Sequence, residues 1–179
     1  MSQPIDHPKS LRHKIRSGDH SSPTSGLCKG YVQCNLVILP SEWAQDFELF
    51  CGKNPKPCPL IAKSGRGQFN LPDLGEDLAI RTDIPSYRVF ENGRLLSETT
   101  DIVDLWNSDL VAFLLGCSFS FEEALIDEGL DVRNISQECN VPMYRTNIEC
   151  QPVGPFRGNM VVSMRPFTEE NAKLATTIS

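Results

Sequence analysis

Within Gly116-Cys117-Ser118-Phe119-Ser120-Phe121-Glu122-Glu123 a glycine turn is followed by a thiol, two hydroxyls and two carboxylates. Ser120 and Glu123 have the spacing of a capping box, which predicts that a helix starts here and runs to about Glu128 with Gly129 at its end. A helix start presents unpaired N–H groups and positive dipole potential, so it suits a carboxylate or phosphate. A thiolate at Cys117 would be stabilised in the same field. The plainer alternative is that Ser120 caps, Ser118 pairs locally and Cys117 is packed.

A second group is Arg81-Thr82-Asp83-Ile84-Pro85 with Tyr87-Arg88, two guanidinium groups and a carboxylate around a proline-fixed turn. One arginine could grip a substrate carboxylate bidentately while Asp83 orients it. A structural ion pair holding the loop to the neighbouring hairpin is the equal alternative. Asn140-Val141-Pro142-Met143-Tyr144-Arg145-Thr146 and Ser163-Met164-Arg165-Pro166 add two more arginines beside proline turns, with Asn140, Tyr144 and Ser163 as polar neighbours. The three histidines, His7, His13 and His20, all lie near the start, so no Ser/His/Asp set can form in the body of the chain. There is also no Gly-x-Ser-x-Gly elbow, no phosphate-binding Walker loop and no dinucleotide Gly-x-Gly-x-x-Gly. Acid–base work would fall to carboxylates, tyrosine or cysteine.

These residues need elements to position them. Residues 1–22 are polar and read as a flexible N-terminal arm, helical or disordered, leaving residues 23–179 as a single domain. Residues 31–39 read as a largely buried strand ended by Pro40. Ser41 can cap a helix through Cys51, because Trp43, Phe47 and Phe50 share one face. Asn54-Pro55-Lys56-Pro57-Cys58-Pro59 excludes regular structure, since alternate prolines remove donors and fix φ. A glycine-rich loop comes next, through Gly67. Asn92-Gly93 between residues 87–90 and 95–98 predicts a hairpin with a type I′ turn. Asp101 can cap a short helix to about Asn107, and residues 110–115 are an apolar run that periodicity leaves open between strand and buried helix. Residues 160–164 read as a late strand, and Thr168 caps a last helix.

The chain has 179 residues, enough for a core without disulfides, and its composition is 40% hydrophobic and 22% charged, ordinary for a globular protein. A net charge of −6 disfavours attachment to nucleic acid or an anionic membrane. Seven cysteines without zinc-like spacing suggest reduced thiols and an intracellular, cytoplasmic setting, with the mitochondrial matrix also compatible. No apolar run approaches the ~20 residues that span a bilayer. Asn134-Ile135-Ser136 is a formal glycosylation sequon, which the compartment argues against using.

Taken in order, several segments resemble the YcsI-like, D-glutamate cyclase-like hydro-lyases. They are Arg16-Ser17-Gly18, Pro23-Thr24-Ser25-Gly26, Gly30-Tyr31-Val32-Gln33-Cys34-Asn35-Leu36-Val37-Ile38-Leu39-Pro40, Asn54-Pro55-Lys56-Pro57-Cys58-Pro59-Leu60 and Ile80-Arg81-Thr82-Asp83-Ile84-Pro85 in the first half. In the second half they are Gly116 to Leu125, Asn140 to Thr146 and Val162 to Pro166. The resemblance implies an α/β fold, a mixed sheet flanked by helices with a smaller hairpin-containing subdomain, and it reaches the N-terminal portion of the mitochondrial D-glutamate cyclase of animals. It also implies elimination of water from a small carboxylic or amino acid. For D-glutamate this means attack of the amine on the side-chain carboxyl to close 5-oxoproline. Full-length relatives continue beyond the equivalent of Ser179 into a histidine-containing segment and a Pro-Val-Phe-Trp segment, so a C-terminally incomplete chain is expected.

On this reading a small carboxylate or amino acid lies beside the Cys117 to Glu123 turn, with Arg81 or Arg165 on its carboxylate and Ser118, Ser120, Tyr144 and Arg145 as further binding groups. Glu122 carries the proton, chosen over Glu123 because Glu123 is needed for the capping box, and Cys117 and Asp83 complete the catalytic candidates. No cofactor and no metal is expected, and no nucleic-acid or membrane partner; homo-oligomerisation is left open. The rival reading is a non-catalytic metabolite-binding or regulatory module.

Overall fold

The structure is a computed structural model that describes residues 7–179. Its elements are α1 (Pro8–Arg16), β1 (Cys34–Pro40), α2 (Ser41–Lys53), β2 (Leu60–Lys63), β3 (Tyr87–Glu91), β4 (Arg94–Thr99), β5 (Leu110–Gly116), α3 (Glu122–Asp127), α4 (Arg133–Ser136), β6 (Met143–Glu149), β7 (Asn159–Ser163) and α5 (Glu169–Ile178). A 3₁₀ turn, Ser118–Phe121, precedes α3. Strands β1, β5 and β2 form a three-stranded sheet in that order, while β3–β4 and β6–β7 are two-stranded ribbons. The α/β class expected from the sequence is therefore the class observed. The apolar run at residues 110–115 is a strand, and its Val111, Ala112 and Phe113 are buried.

The chain divides into two compact units. The first comprises the chain up to Tyr31, Leu36–Glu42 and Ala62–Phe113; the second comprises Val32–Asn35, Trp43–Ile61 and Leu114–Ser179. Part of the expected N-terminal arm, residues 1–6, lies outside the described residues. Residues 8–16 form α1, with Leu11 and Ile15 packed on Cys28 and Leu27.

In the first unit α1 is tied down by charge. The Asp83 carboxylate accepts from Arg16 Nε at 2.5 Å and Arg16 Nη2 at 2.8 Å, and Arg12 Nε lies 3.3 Å away. Ala79 N and Thr82 Oγ1 complete its donors at 2.8 and 3.2 Å. The expected hairpin forms as β3–β4, with Asn92 at φ 49° and Gly93 at φ 75°, the left-handed pair that a type I′ turn demands. Gly67, at φ 70°, is needed for closeness as well as conformation, since a Cβ there would sit 3.0 Å from Ser108 Cα. The helix expected after Asp101 is a single turn. Asp101 does accept from Val103 N at 3.1 Å, but Trp106 Nε1 is committed to Gly67 O at 3.0 Å and Asn107 Oδ1 takes Asp109 N at 2.8 Å, which ends the turn.

Tyr87 anchors the start of β3. Its hydroxyl donates to Ile80 O at 2.5 Å and accepts from Ile84 N at 3.2 Å. Burial pushes its phenol well above the ordinary tyrosine range. A raised acid pKa contributes stability below the unfolded value of about 10 that is lost as pH climbs toward the folded value. In an absorbance titration at alkaline pH, Tyr87→Phe should therefore remove a late step that coincides with unfolding. Amplitude lost instead from the ordinary tyrosine step at pH about 10 would show that Tyr87 ionises freely.

The second unit has two apolar centres. Phe47 and Phe50 of α2 pack with Phe156, the Phe47 and Phe156 ring centroids lying 5.1 Å apart. Leu125, Leu130, Val132 and Ala175 form the other, flanked by Phe121, Ile135, Phe167 and Ile178. Asn54 fixes the proline-rich connector: its amide donates to Phe50 O and Gln151 O at 2.8 and 2.9 Å and its Oδ1 accepts from Gln151 N at 2.8 Å. Thr168 caps α5 as expected, its hydroxyl accepting from Asn171 N at 3.3 Å.

Candidate functional site

The capping box does not form. Ser120 Oγ instead accepts from Gln33 N at 3.0 Å, so the chain winds first into the 3₁₀ turn and α3 begins at Glu122 with Phe121 as an N-cap that supplies no side-chain bond. That half-turn shift rotates Glu122 inward: it is 2% exposed. Its Oε1 accepts from Arg165 Nη2 at 2.6 Å, Arg165 Nε at 2.8 Å and Asn134 Nδ2 at 3.1 Å. Arg165 is held in turn by the end of β7 and by the 3₁₀ turn. Its Nη1 donates to Ser163 Oγ and its Nη2 to Ser118 Oγ, each at 3.1 Å, and the two hydroxyls lie 2.9 Å from one another. The guanidinium also stands 5.0 Å over the Phe121 ring.

A buried carboxylate and guanidinium survive together because each of the three guanidinium nitrogens donates to an acceptor, and the planar fork lets Arg165 serve three acceptors at once. Ser163 and Arg165 of the cluster line a cleft of about 280 Å³ whose apolar wall includes Phe121, Leu125, Phe167 and Ala175 and whose other polar groups are Thr176 and Ser179. Concave apolar space with a few converging polar groups is the usual form of a small-molecule site.

Of the residues expected to act, Glu122, Ser118 and Arg165 are thus brought together. Ser163, noted in the sequence as a polar neighbour, joins them, and so does Asn134. The sequence marked Asn134 only as a sequon; it is 6% exposed, and its amide is engaged by Glu122. Nothing in the residues around Asn134 signals that role, because its partner lies on another helix. Ser120 belongs to the Gln33 backbone. Cys117 N donates to Gln33 O at 3.3 Å, and its thiol lies beside Cys34, whose own pKa is raised by burial and then by Cys117. None of the seven cysteines forms a disulfide among the described residues. Tyr144 and Arg145 lie on β6, opposite Val162 and Val161, and both are exposed. Arg81 and Asp83 belong to the first unit, where Asp83 holds α1. Among the described residues no group of three His, Cys, Asp or Glu could hold a metal ion, and no helix is long and apolar enough to cross a membrane.

The fold and this cluster define an α/β protein with a buried carboxylate–guanidinium centre whose arginine lines a cleft. Comparison with known sequences gives the family. The D-glutamate cyclase family model matches residues 111–179, the stretch that supplies Ser118, Glu122, Asn134, Ser163 and Arg165. A "putative hydro-lyase" of Bordetella petrii is 56% identical over 168 residues, covering 94% of this chain and 64% of that protein. Another from Rhizobium johnstonii is 55% identical over 177 residues, covering 99% of this chain and 66% of that protein. One from Aliivibrio salmonicida is 54% identical over 169 residues, covering 94% and 65%. The chain belongs to this D-glutamate cyclase-like hydro-lyase family, and it spans 64–66% of the length of these three relatives.

Proposed function

We propose that the chain contributes the acid–base part of a hydro-lyase site for a small carboxylic or amino acid, with cyclisation of D-glutamate to 5-oxoproline as the reaction to test first. The observation that carries the reading is the buried Glu122–Arg165 pair, whose Arg165 lines the cleft, inside the stretch that the D-glutamate cyclase model matches. In that reaction the substrate amine attacks its side-chain carboxyl and water departs, so one group must take the amine proton and deliver it to the leaving oxygen. Glu122 is assigned that transfer, and Arg165, through Ser118 and Ser163, the orientation of the carboxyl that reacts.

With the purified chain and D-glutamate, Glu122→Gln should lower 5-oxoproline formation by about 100-fold, within the usual range for a removed general acid–base group. Equal turnover in wild type and variant would remove Glu122 from the mechanism. A second reading is favoured by one observation: Nε, Nη1 and Nη2 of Arg165 all donate to protein acceptors already. On that reading the pair is a structural bolt beside a metabolite-binding cleft. Saturable binding of D-glutamate with no 5-oxoproline formed would select it.

A further inference from the structure

Three of the seven thiols gather around one asparagine in the second unit. Cys51 lies in the last turn of α2, Cys58 in the proline-rich connector that follows, and Cys150 just past the end of β6. Backbone bonds fold the connector back on the helix: Asn54 N donates to Cys51 O and Cys58 N donates to Asn54 O, each at 3.0 Å. The Asn54 side chain is bonded twice to the Gln151 backbone, which holds the neighbouring Cys150 against the same turn. Pro57 and Pro59 restrict the backbone on either side of Cys58, and Pro59 O accepts from Gly116 N at 2.8 Å, so this thiol is held in place.

Access differs among the three. Cys51 is 1% exposed, whereas Cys58 and Cys150 are half-buried. The Cys51 and Cys58 side chains are hydrogen-bonded to each other, the inner thiol donating to the outer sulfur, and Cys150 lies close enough to act on the charge of Cys58. The three do not make a metal's ligand set. A sulfur open to small solutes, with a sealed thiol in contact behind it, is instead the arrangement in which an oxidised cysteine is captured within its own chain.

We propose that Cys58 is a site of reversible oxidation by peroxides, with Cys51 as the thiol that resolves it. The Cys58 thiolate attacks one oxygen of hydrogen peroxide and the O–O bond breaks, leaving a sulfenic acid and a hydroxide that takes up the proton released by the thiol. The Cys51 sulfur then displaces the sulfenic hydroxyl, which departs as water with the Cys51 proton, and the S–S bond closes. Two thiols and one peroxide thus give one disulfide and two waters. Burial raises the Cys58 thiol, Cys150 adds to this and the Cys51 hydrogen bond opposes it, so the first step should quicken as pH rises above neutral. Burial, and then Cys58, push the Cys51 thiol up to about 11, so the inner sulfur keeps its proton until the outer one has reacted.

The test treats the whole chain with hydrogen peroxide, blocks the remaining thiols by alkylation and locates the bond by peptide mass mapping. Trypsin, cutting after Lys53, separates the two cysteines, so a linked pair of peptides carrying Cys51 and Cys58 should appear and should vanish on reduction with dithiothreitol. Cys51→Ala should stop at the sulfenic acid and raise the dimedone adduct on Cys58 about tenfold over wild type, because the resolving thiol is gone. Cys58→Ala should abolish the bond, and Cys150→Ala should leave it in place. A bond mapped to Cys58 and Cys150, a Cys58 that stays open to alkylation after peroxide, or a disulfide formed as readily in Cys51→Ala would each overturn the inference. The wild-type map and Cys58→Ala carry the test if Cys51→Ala, altered at a sealed position, does not fold. The map reads sulfur alone, so its outcome is independent of turnover at Glu122.

Discussion

Arg165→Met should unfold the protein at markedly lower denaturant, with a loss of about 3–5 kcal/mol, the usual cost of removing one partner of a buried pair. The side chains of Arg165 and Glu122 are only 7% and 3% exposed, so neither charge can relax into water when the other is removed. Methionine keeps most of the volume, so packing loss is small and the effect reports the stranded Glu122 carboxylate, left with the Asn134 amide in place of a cation. Glu122→Leu combined with Arg165→Met should recover most of the lost stability, because replacing both members of a buried pair by apolar groups is often neutral. That double variant should still fail to form 5-oxoproline. Recovered stability together with recovered turnover would mean that the pair has no part in the chemistry; stability left unrecovered would point to Ser118 and Ser163 as the groups stranded instead. Urea unfolding curves of the four proteins in this cycle give the coupling directly.

What the sequence revealed and what it hid divide along the distance over which each feature is determined. The Asn92-Gly93 turn and the Thr168 cap were readable because each depends on neighbours within three residues. The α2 helix was readable because Phe47 and Phe50 repeat on one face and are buried. Strand β6 escaped because six of its seven residues are exposed, which erases the alternation that marks a half-buried strand. β2 is only four residues long and carries too little pattern. In α1, a helix was left open by the sequence, but the four-residue spacing of Leu11 and Ile15 as a buried stripe was masked by the surrounding charges and histidines. The capping box was locally plausible and still lost, because Gln33, 87 residues away in sequence, offered its backbone N–H to Ser120. The same nonlocality governs the site. Glu122 and Arg165 are 43 residues apart and Glu122 and Asn134 are 12 apart, so residue types named the first two as candidates while only folding could pair them. Asp83 shows the converse, a carboxylate beside two nearby arginines in sequence whose partners prove to be Arg12 and Arg16 of α1 rather than Arg81 or Arg88.

Asp83→Asn is expected to release α1. The Asp83 side chain is 2% exposed and serves two guanidinium groups, so the amide strips Arg12 of its charge partner, leaves Arg16 with Asp77 alone, and sets an NH₂ against donors. The partners are 14% and 25% exposed and can swing toward water, so the loss should fall below that of the fully buried pair, at about 2–4 kcal/mol. Amide hydrogen exchange should quicken first in residues 11–16, ahead of the sheet, because Leu11 and Ile15 bury too little by themselves to hold nine residues of helix. Acid should act the same way on the wild type. Arg16 donates to Asp77 as well and holds its carboxyl below the usual carboxylate range, chiefly through that hydrogen bond. A lowered carboxylate pKa gives stability that is present above the unfolded value of about 4 and is lost as pH falls through the folded one. Exchange in α1 should therefore rise as pH drops below about 4 in wild type and be fast at every pH in Asp83→Asn, after correction for the intrinsic rate. Unchanged protection of α1 in the variant would mean that Leu11, Ile15 and Cys28 hold the helix without help from charge.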